Sequence, residues 1–250
     1  MSSGTKKFGG RSKEDQFFQW MKGTTPDVLA IDAPSGYNLD RVLAAEVRQE
    51  RGWTDRYKDM RLCEADLRSR EIKLYYTRRD RTKAATWVQC GWHVYDRLKK
   101  ELGYTLWNQA GRVNATNHRA LLEVHPHASF VVGLGWIPQA KESIPGQLER
   151  IAYLLRAIEH EGVGWTGDCL PVPSFLATLT NALQALTWDK ICARGVVFGN
   201  EPHDKLDALA GLMTATYARK GLAFAVGDSN EGVIVLPREP VDKYRRPRSE

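Results

Sequence analysis

Three places in this 250-residue sequence set a carboxylate against an apolar segment, and each can serve a reaction. Asp32 directly follows the apolar run VLAI (28–31) and precedes a Pro34-Ser35-Gly36 turn. An acid at the carboxyl end of a sheet strand sits where open α/β sheets place their ligands. The alternative is an aspartate that only hydrogen-bonds its own turn. Glu123 lies inside LLEVHP, where a carboxylate is either on the exposed face or buried with a partner, because an unpaired buried charge is too costly. Asp204 and Asp207 stand three apart at the head of the segment HDKLDALAGLMTA and share a helix face. Acids there also favour the helix dipole, but Asp207, flanked by Leu206 and Leu209, falls near the core-facing stripe. Acids converging from strand ends and a helix suit a hard cation, which takes oxygen ligands. Mg²⁺ or Mn²⁺ held that way activates water for phosphodiester cleavage. The expected catalytic residues are therefore Asp32, Glu123 and Asp207, with Asp32, Asp204 and Asp207 as metal ligands.

Other chemistry is less well supported. His125 and His127 flank Pro126, which reads as a strand-exit turn more than a ligand pair. Cys63 reads as a packed thiol rather than a nucleophile. Cys63, Cys90, Cys169 and Cys192 include no CxxC pair, which argues against a zinc cage and for reduced thiols in a cytoplasmic protein. There is no GxGxxG, no P-loop and no GxSxG. Net charge is +6, and its distribution matters more than its size. Arg68 to Lys83 holds seven basic residues against two acidic ones, with Tyr75 and Tyr76 among them. Such a stretch, including Arg78 and Arg79 as substrate contacts, suits a phosphate backbone with stacked bases, so nucleic acid is the expected partner. The bland alternative is a solvated face plus a frayed basic tail from Arg238 onward. Trp53, Trp87, Trp92 and Trp107 read chiefly as core or subunit contacts.

The elements that must position these residues read as α/β. With 42% hydrophobic and 26% charged residues the chain is not disordered, collagenous or coiled coil. No run approaches 18 apolar residues, so no membrane partner is expected, and the N-terminal residues lack the apolar core of a secretory signal. The expected helices cover 13–21, 86–102, 147–158, 175–186 and 204–219, the last closed by Lys220-Gly221. The expected strands cover 28–31, 121–124, 191–198, 223–226 and 232–236. Residues 47–59 read as loop or weak helix. Strands separated by helices imply an α/β fold with a mixed sheet. The expected organisation is a disordered segment 1–12, one domain over 13–237 and a basic tail over 238–250.

Seven blocks occur in a characteristic order: DVLAIDAPSG, RLCEADLRSREIKLYYT, WVQCGWHVYDRLKKELGY, LLEVHPHASF, PGQLERIAYLL, HDKLDALAGLMTA and GDSNEGVIVLP. In this the chain, from about Asp27 to Pro237, resembles the domain-of-unknown-function family 429, whose members are predicted nucleases with an RNase H-like fold. The resemblance implies that Asp32 and Asp207, with Asp204 beside it, are metal-holding acids. It also implies that Glu123, Arg61, Cys63 and Glu64 face the same cleft, with Arg61 offered to a phosphate. RNase H-like folds open with a hairpin whose first strand carries an essential acid. No apolar strand ending in Asp precedes Asp27, so the expectation is a misplaced start or an RNase H-like sheet lacking its opening hairpin.

The leading expectation is thus a Mg²⁺- or Mn²⁺-dependent nuclease. A catalytically decayed nucleic-acid-binding module on the same scaffold stands beside it, as does a hydrolase of a small phosphorylated metabolite.

Overall fold

The computed structural model describes residues 13–53, 57–116, 119–160 and 202–246. Helix α1 (Lys13–Thr24) leads into β1 (Val28–Ile31), a 3-10 turn (Arg41–Leu43), α2 (Ala45–Arg51) and α3 (Leu62–Ser69). A second 3-10 turn (Arg81–Lys83) precedes α4 (Thr86–Leu102), followed by β2 (Thr105–Leu106), β3 (Gly111–Val113) and β4 (Ala120–Glu123). Then come α5 (Pro126–Leu134), α6 (Ile144–His160), α7 (Pro202–Arg219), β5 (Ala223–Asp228) and β6 (Gly232–Leu236). The helix expected at 175–186, the strand at 191–198 and the segment 1–12 lie outside the described residues. Among the described residues no helix is long and apolar enough to cross a membrane.

The chain is a mixed α/β structure with a parallel sheet, β1-β4-β2, and an antiparallel sheet, β3-β5-β6, flanked by helices. A parallel bridge between Val124 and Val235 joins the two. In the parallel sheet Ile31 pairs with Glu123, so β1 and β4 end level with each other. Alternation along β4 sends Ala120, Leu122 and Val124 into one core with residues of α6 and α7. Leu121 turns to the opposite face and packs with Phe18 and Met21 of α1 and Tyr95 and Leu98 of α4.

Helix α4 covers the expected residues, but its buried stripe is Val88, Gly91, Tyr95, Leu98 and Leu102 rather than one through Trp87 and Cys90, which are exposed. The reason is close approach. A Cβ on Gly91 would stand 2.5 Å from the Ala33 Cβ, so only glycine lets α4 lie against the turn that follows β1. Two helices depart from expectation. Pro126 does not stop the chain but occupies the first turn of α5, where a missing N–H costs nothing. Helix α3 is buried through charged residues as well as apolar ones, so no amphipathic stripe announces it. Residues 238–246 are not a free tail. Tyr244 is buried, its N–H donates to Arg70 O at 3.2 Å, and Ile137 N donates to Arg245 O at 3.0 Å.

Candidate functional site

The carboxyl ends of β1 and β4 open onto a cleft of about 810 Å³, lined among others by Asp32, Asp207, His127, Lys141 and Arg150. Asp32 continues the alternation of Val28 and Ala30, the β1 residues that join the core shared with α7. It therefore leaves the sheet on the face where α7 carries Asp207. Asp32 is exposed to the cleft, but protein packed close around it still limits its hydration. That burial, then the charge of Asp207, then that of Glu123, push its pKa up to about 7, with Lys141 pulling the other way. Lys141 Nζ lies 3.8 Å from Asp207 Oδ2 and so brings a cation to this acidic pair. Asp204 is exposed in the first turn of α7 and does not line the cleft.

Glu123 borders the same cleft but is bound inward. Its Oε1 accepts from Arg61 Nη2 at 2.5 Å, and its Oε2 accepts from Arg61 Nη1 at 3.0 Å and from Ser35 N and Oγ at 2.7 Å each. Arg61, only 1% exposed, donates through Nε to Glu64 Oε1 at 2.8 Å. Glu64 also accepts from Thr77 N at 2.8 Å and Thr77 Oγ1 at 2.6 Å. A third acid closes the network: Glu231 accepts from Leu39 N, Arg41 N and Leu62 N, while its carbonyl accepts from Arg61 Nη1 at 3.3 Å. Arg61 and Glu64 thus face one another inside the protein, and the Arg61 guanidinium has each of its nitrogens engaged by protein oxygens. Glu231 carries no signal in the sequence, because a turn such as GDSNEG gives no sign that one of its acids folds inward.

The wall on the α4 side is aromatic and basic. Lys73, Leu74 and Tyr75 line the cleft from the strand-less stretch after α3, and Trp87 lines it from the first turn of α4. The Tyr75 and Trp87 rings meet edge to face with centroids 5.9 Å apart. Arg246, held near by the docked C-terminal segment, adds a further cation. Arg78 and Arg79 are exposed and do not line the cleft; Arg79 Nε pairs with Asp40 Oδ2 at 2.9 Å. Arg81 lies 3.5 Å from the Tyr37 ring centroid.

Burial holds His125 down at about 4 and His127 at about 3, so both imidazoles are neutral at pH 7. His125 Nδ1 accepts the Ala128 N–H at 3.3 Å and caps α5, which leaves its proton on Nε2 and makes it a donor rather than a metal ligand. Burial pushes the Cys63 thiol well above its ordinary range, as expected of a packed, unreactive cysteine.

No three His, Cys, Asp or Glu side chains among the described residues are grouped to hold a metal ion. The two carboxylates Asp32 and Asp207 still fit Mg²⁺ or Mn²⁺, because Mg²⁺ is usually bound by one or two carboxylates, waters and substrate phosphates rather than by a protein cage. Comparison with curated proteins and with solved structures finds no match for the chain. The family model described as "Protein of unknown function (DUF429)" does match, over residues 11–231. That span takes in all of the described sheet strands up to the β5–β6 turn and every acid discussed above, and the chain belongs to the DUF429 family.

Proposed function

We propose that the chain is a divalent-metal-dependent phosphodiesterase of RNase H-like fold that acts on nucleic acid. One observation carries the reading: Asp32 and Asp207 line a single cleft in which Glu64 and Glu123 are already engaged by Arg61, while Lys73, Lys141, Arg150 and Arg246 bring positive charge to the same cleft. The union of parallel β4 with antiparallel β6 at Val124–Val235, and the packing of an acid-bearing helix on β1, support the fold.

Asp32 and Asp207 would hold the cation, which when bound supplies Lewis-acid stabilisation of phosphate charge and a more acidic water. The remaining work falls to the chain's own groups. Lys141 and Arg150 orient phosphate oxygens by charge. Arg150 is braced for this by donation from Nη1 to Gln139 O at 3.0 Å and Gly146 O at 2.6 Å. Leu74, Ile137 and Ile234 give the cleft its apolar lining. A carboxyl whose pKa is near 7 without the cation, such as Asp32, gives up its proton when the cation binds, so uptake of metal at its Oδ atoms strengthens as pH rises through that value.

A nucleic-acid-binding module without turnover is the second reading, favoured by the engagement of both Glu123 oxygens by Arg61 and Ser35. Calorimetric titration of wild type, Asp32→Asn and Asp207→Asn with Mg²⁺ and Mn²⁺, followed by cleavage assays on single- and double-stranded DNA and RNA, separates the two. The hydrolase requires saturable metal binding, lost in both variants, together with cleavage. Metal binding unchanged by both substitutions overturns the site, and intact nucleic-acid binding without cleavage leaves the module.

A further inference from the structure

The most water-exposed large aromatics bordering the cleft are Tyr75, at 80% exposure, and Trp87, at 46%. Both rings leave broad apolar surface in water, which is unfavourable unless something covers it in use. Other aromatic pairs nearby are already occupied. Tyr37 carries the Arg81 guanidinium 3.5 Å from its centroid, and Trp92, tilted against Tyr37 with centroids 4.6 Å apart, donates its indole N–H to Gly36 O at 3.1 Å. Tyr75 and Trp87 touch only edge to face, so at least one ring face remains open. The cations Lys73 and Arg246 line the same cleft as these rings, and so do Asp32 and Asp207.

Flat apolar rings, cations and a carboxylate pair in one cleft match the three parts of a nucleotide unit: a base, its phosphate and the bond to be cut. We infer that Tyr75 and Trp87 form a base-stacking subsite, and that the substrate is nucleic acid with an unpaired or terminal base at the cleavage position. Inside a duplex both faces of a base are covered by its neighbours, so a protein ring reaches a base face only at an end, in a single strand or after flipping. Stacking is tolerant of base identity, because every base offers a π-face. The subsite therefore selects strandedness, not sequence. This inference rests on the phosphodiesterase reading for the identity of the ligand, but the two can fail separately.

The test is fluorescence-anisotropy titration in EDTA at low salt, which isolates binding from turnover. The probes are a labelled thymidine hexamer, an abasic hexamer with the same number of phosphates, and a labelled duplex closed at both ends by non-nucleotide linkers, which stays paired at low salt and offers no free base face. Wild type is compared with Tyr75→Ala, Tyr75→Phe and Trp87→Ala, all at exposed positions where folding is not at risk. The hexamer should bind about 10-fold more weakly to either alanine variant, with Tyr75→Phe close to wild type, since the ring and not the hydroxyl makes the contact. The abasic probe should bind weakly to all four proteins alike. Equal affinity for base-containing and abasic probes, alanine variants indistinguishable from wild type, preference for the duplex, or no binding of any probe would each overturn the subsite. Base-dependent binding by a protein that cleaves nothing in Mg²⁺ or Mn²⁺ would keep the subsite and remove the hydrolase. Cleavage with base-independent binding would do the reverse.

Discussion

Asp32 and Glu123 stand at the carboxyl ends of neighbouring parallel strands, Glu123 level with Ile31 and Asp32 one residue further, yet their surroundings treat them oppositely. Glu123 turns to the face shared with Leu121, where Arg61 and Ser35 meet both of its oxygens. Asp32 turns to the α7 face, where what it meets is a second carboxylate. One acid is built into the fold as half of an ion pair. The other is left with its charge unmatched, its pKa pushed up to about 7, at the edge of a cleft. Proteins tolerate that kind of unmatched electrostatics where a ligand completes it, and only geometry distinguishes the two acids, since each stands at the end of a short apolar run in the sequence.

The buried side of this contrast should fail hardest. Arg61→Met leaves Glu64 and Glu123, each at most 3% exposed, without their counter-ion. Removing one partner of a buried ion pair costs about 3–5 kcal/mol, a large share of the stability of an ordinary domain. Urea denaturation of the purified variant measures it; a loss below about 1 kcal/mol would mean that the network is dispensable and that Arg61 is free to serve a ligand.

Asp32→Asn should do the opposite: retain the fold and abolish function, with cleavage reduced on the order of 100-fold or more. The stability effect has a definite sign. The folded chain keeps the Asp32 proton up to about pH 7, whereas an unfolded aspartate releases it around its ordinary 3.8. Between those values the folded state binds more protons, so this group makes the protein less stable as pH rises, with the penalty complete above about 7 and absent below about 4. Thermal melts should show Asp32→Asn raising Tm relative to wild type at pH 8 and matching it near pH 4. A variant that is less stable than wild type at pH 8 would place Asp32 in a structural role like that of Glu123.

How much of this was legible beforehand follows from the same physics. Strands β1 and β6, helices α4, α6 and α7, and the acid at the end of β1 are announced by short apolar runs or by 3.6-residue spacing. Strands β2 and β3, of two and three residues, are too short to carry any period. Helix α5 escapes because it is buried nearly all round, so it has no polar face to contrast with an apolar one. Pairing across 62 residues between Arg61 and Glu123, and across 169 between Leu62 N and Glu231, leaves no local trace. The seven ordered blocks did identify the family, since block order is itself a sequence property. Asp204 illustrates the limit: it shares a helix with Asp207, but one turn along α7 is enough to take it out of the cleft.

Two substitutions probe the seam between the acids. Gly91→Val forces side-chain atoms into the space where a Cβ already stands 2.5 Å from Ala33 Cβ, and such overpacking costs about 1–3 kcal/mol. Because Ala33 follows Asp32 directly, the loss should come with reduced metal affinity; full metal affinity in a destabilised Gly91→Val would show that the turn and the carboxylate move independently. Ser35→Ala removes one hydroxyl donor from Glu123 Oε2 while the Ser35 N–H stays, so about 1 kcal/mol of stability should go. A loss above about 3 kcal/mol would mean that the hydroxyl, rather than Arg61, holds Glu123 in place.

Lys141→Ala carries the smallest stability effect and the most specific functional one. The lysine is 44% exposed and 3.8 Å from Asp207, a geometry in which ion pairs contribute about 0–1 kcal/mol, so denaturation curves should barely shift. Its charge nevertheless pulls the Asp32 pKa downward against burial, Asp207 and Glu123. Removing it should raise that pKa further and move the acidic limb of the pH–activity profile to higher pH, while weakening affinity for an anionic substrate at every pH. The same substitution made at Lys83, whose exposed partner is Asp80 at 3.2 Å and which does not line the cleft, should leave the profile where it is. If both variants shift it equally, long-range charge and not the cleft governs Asp32, and the contrast with Glu123 reduces to burial alone.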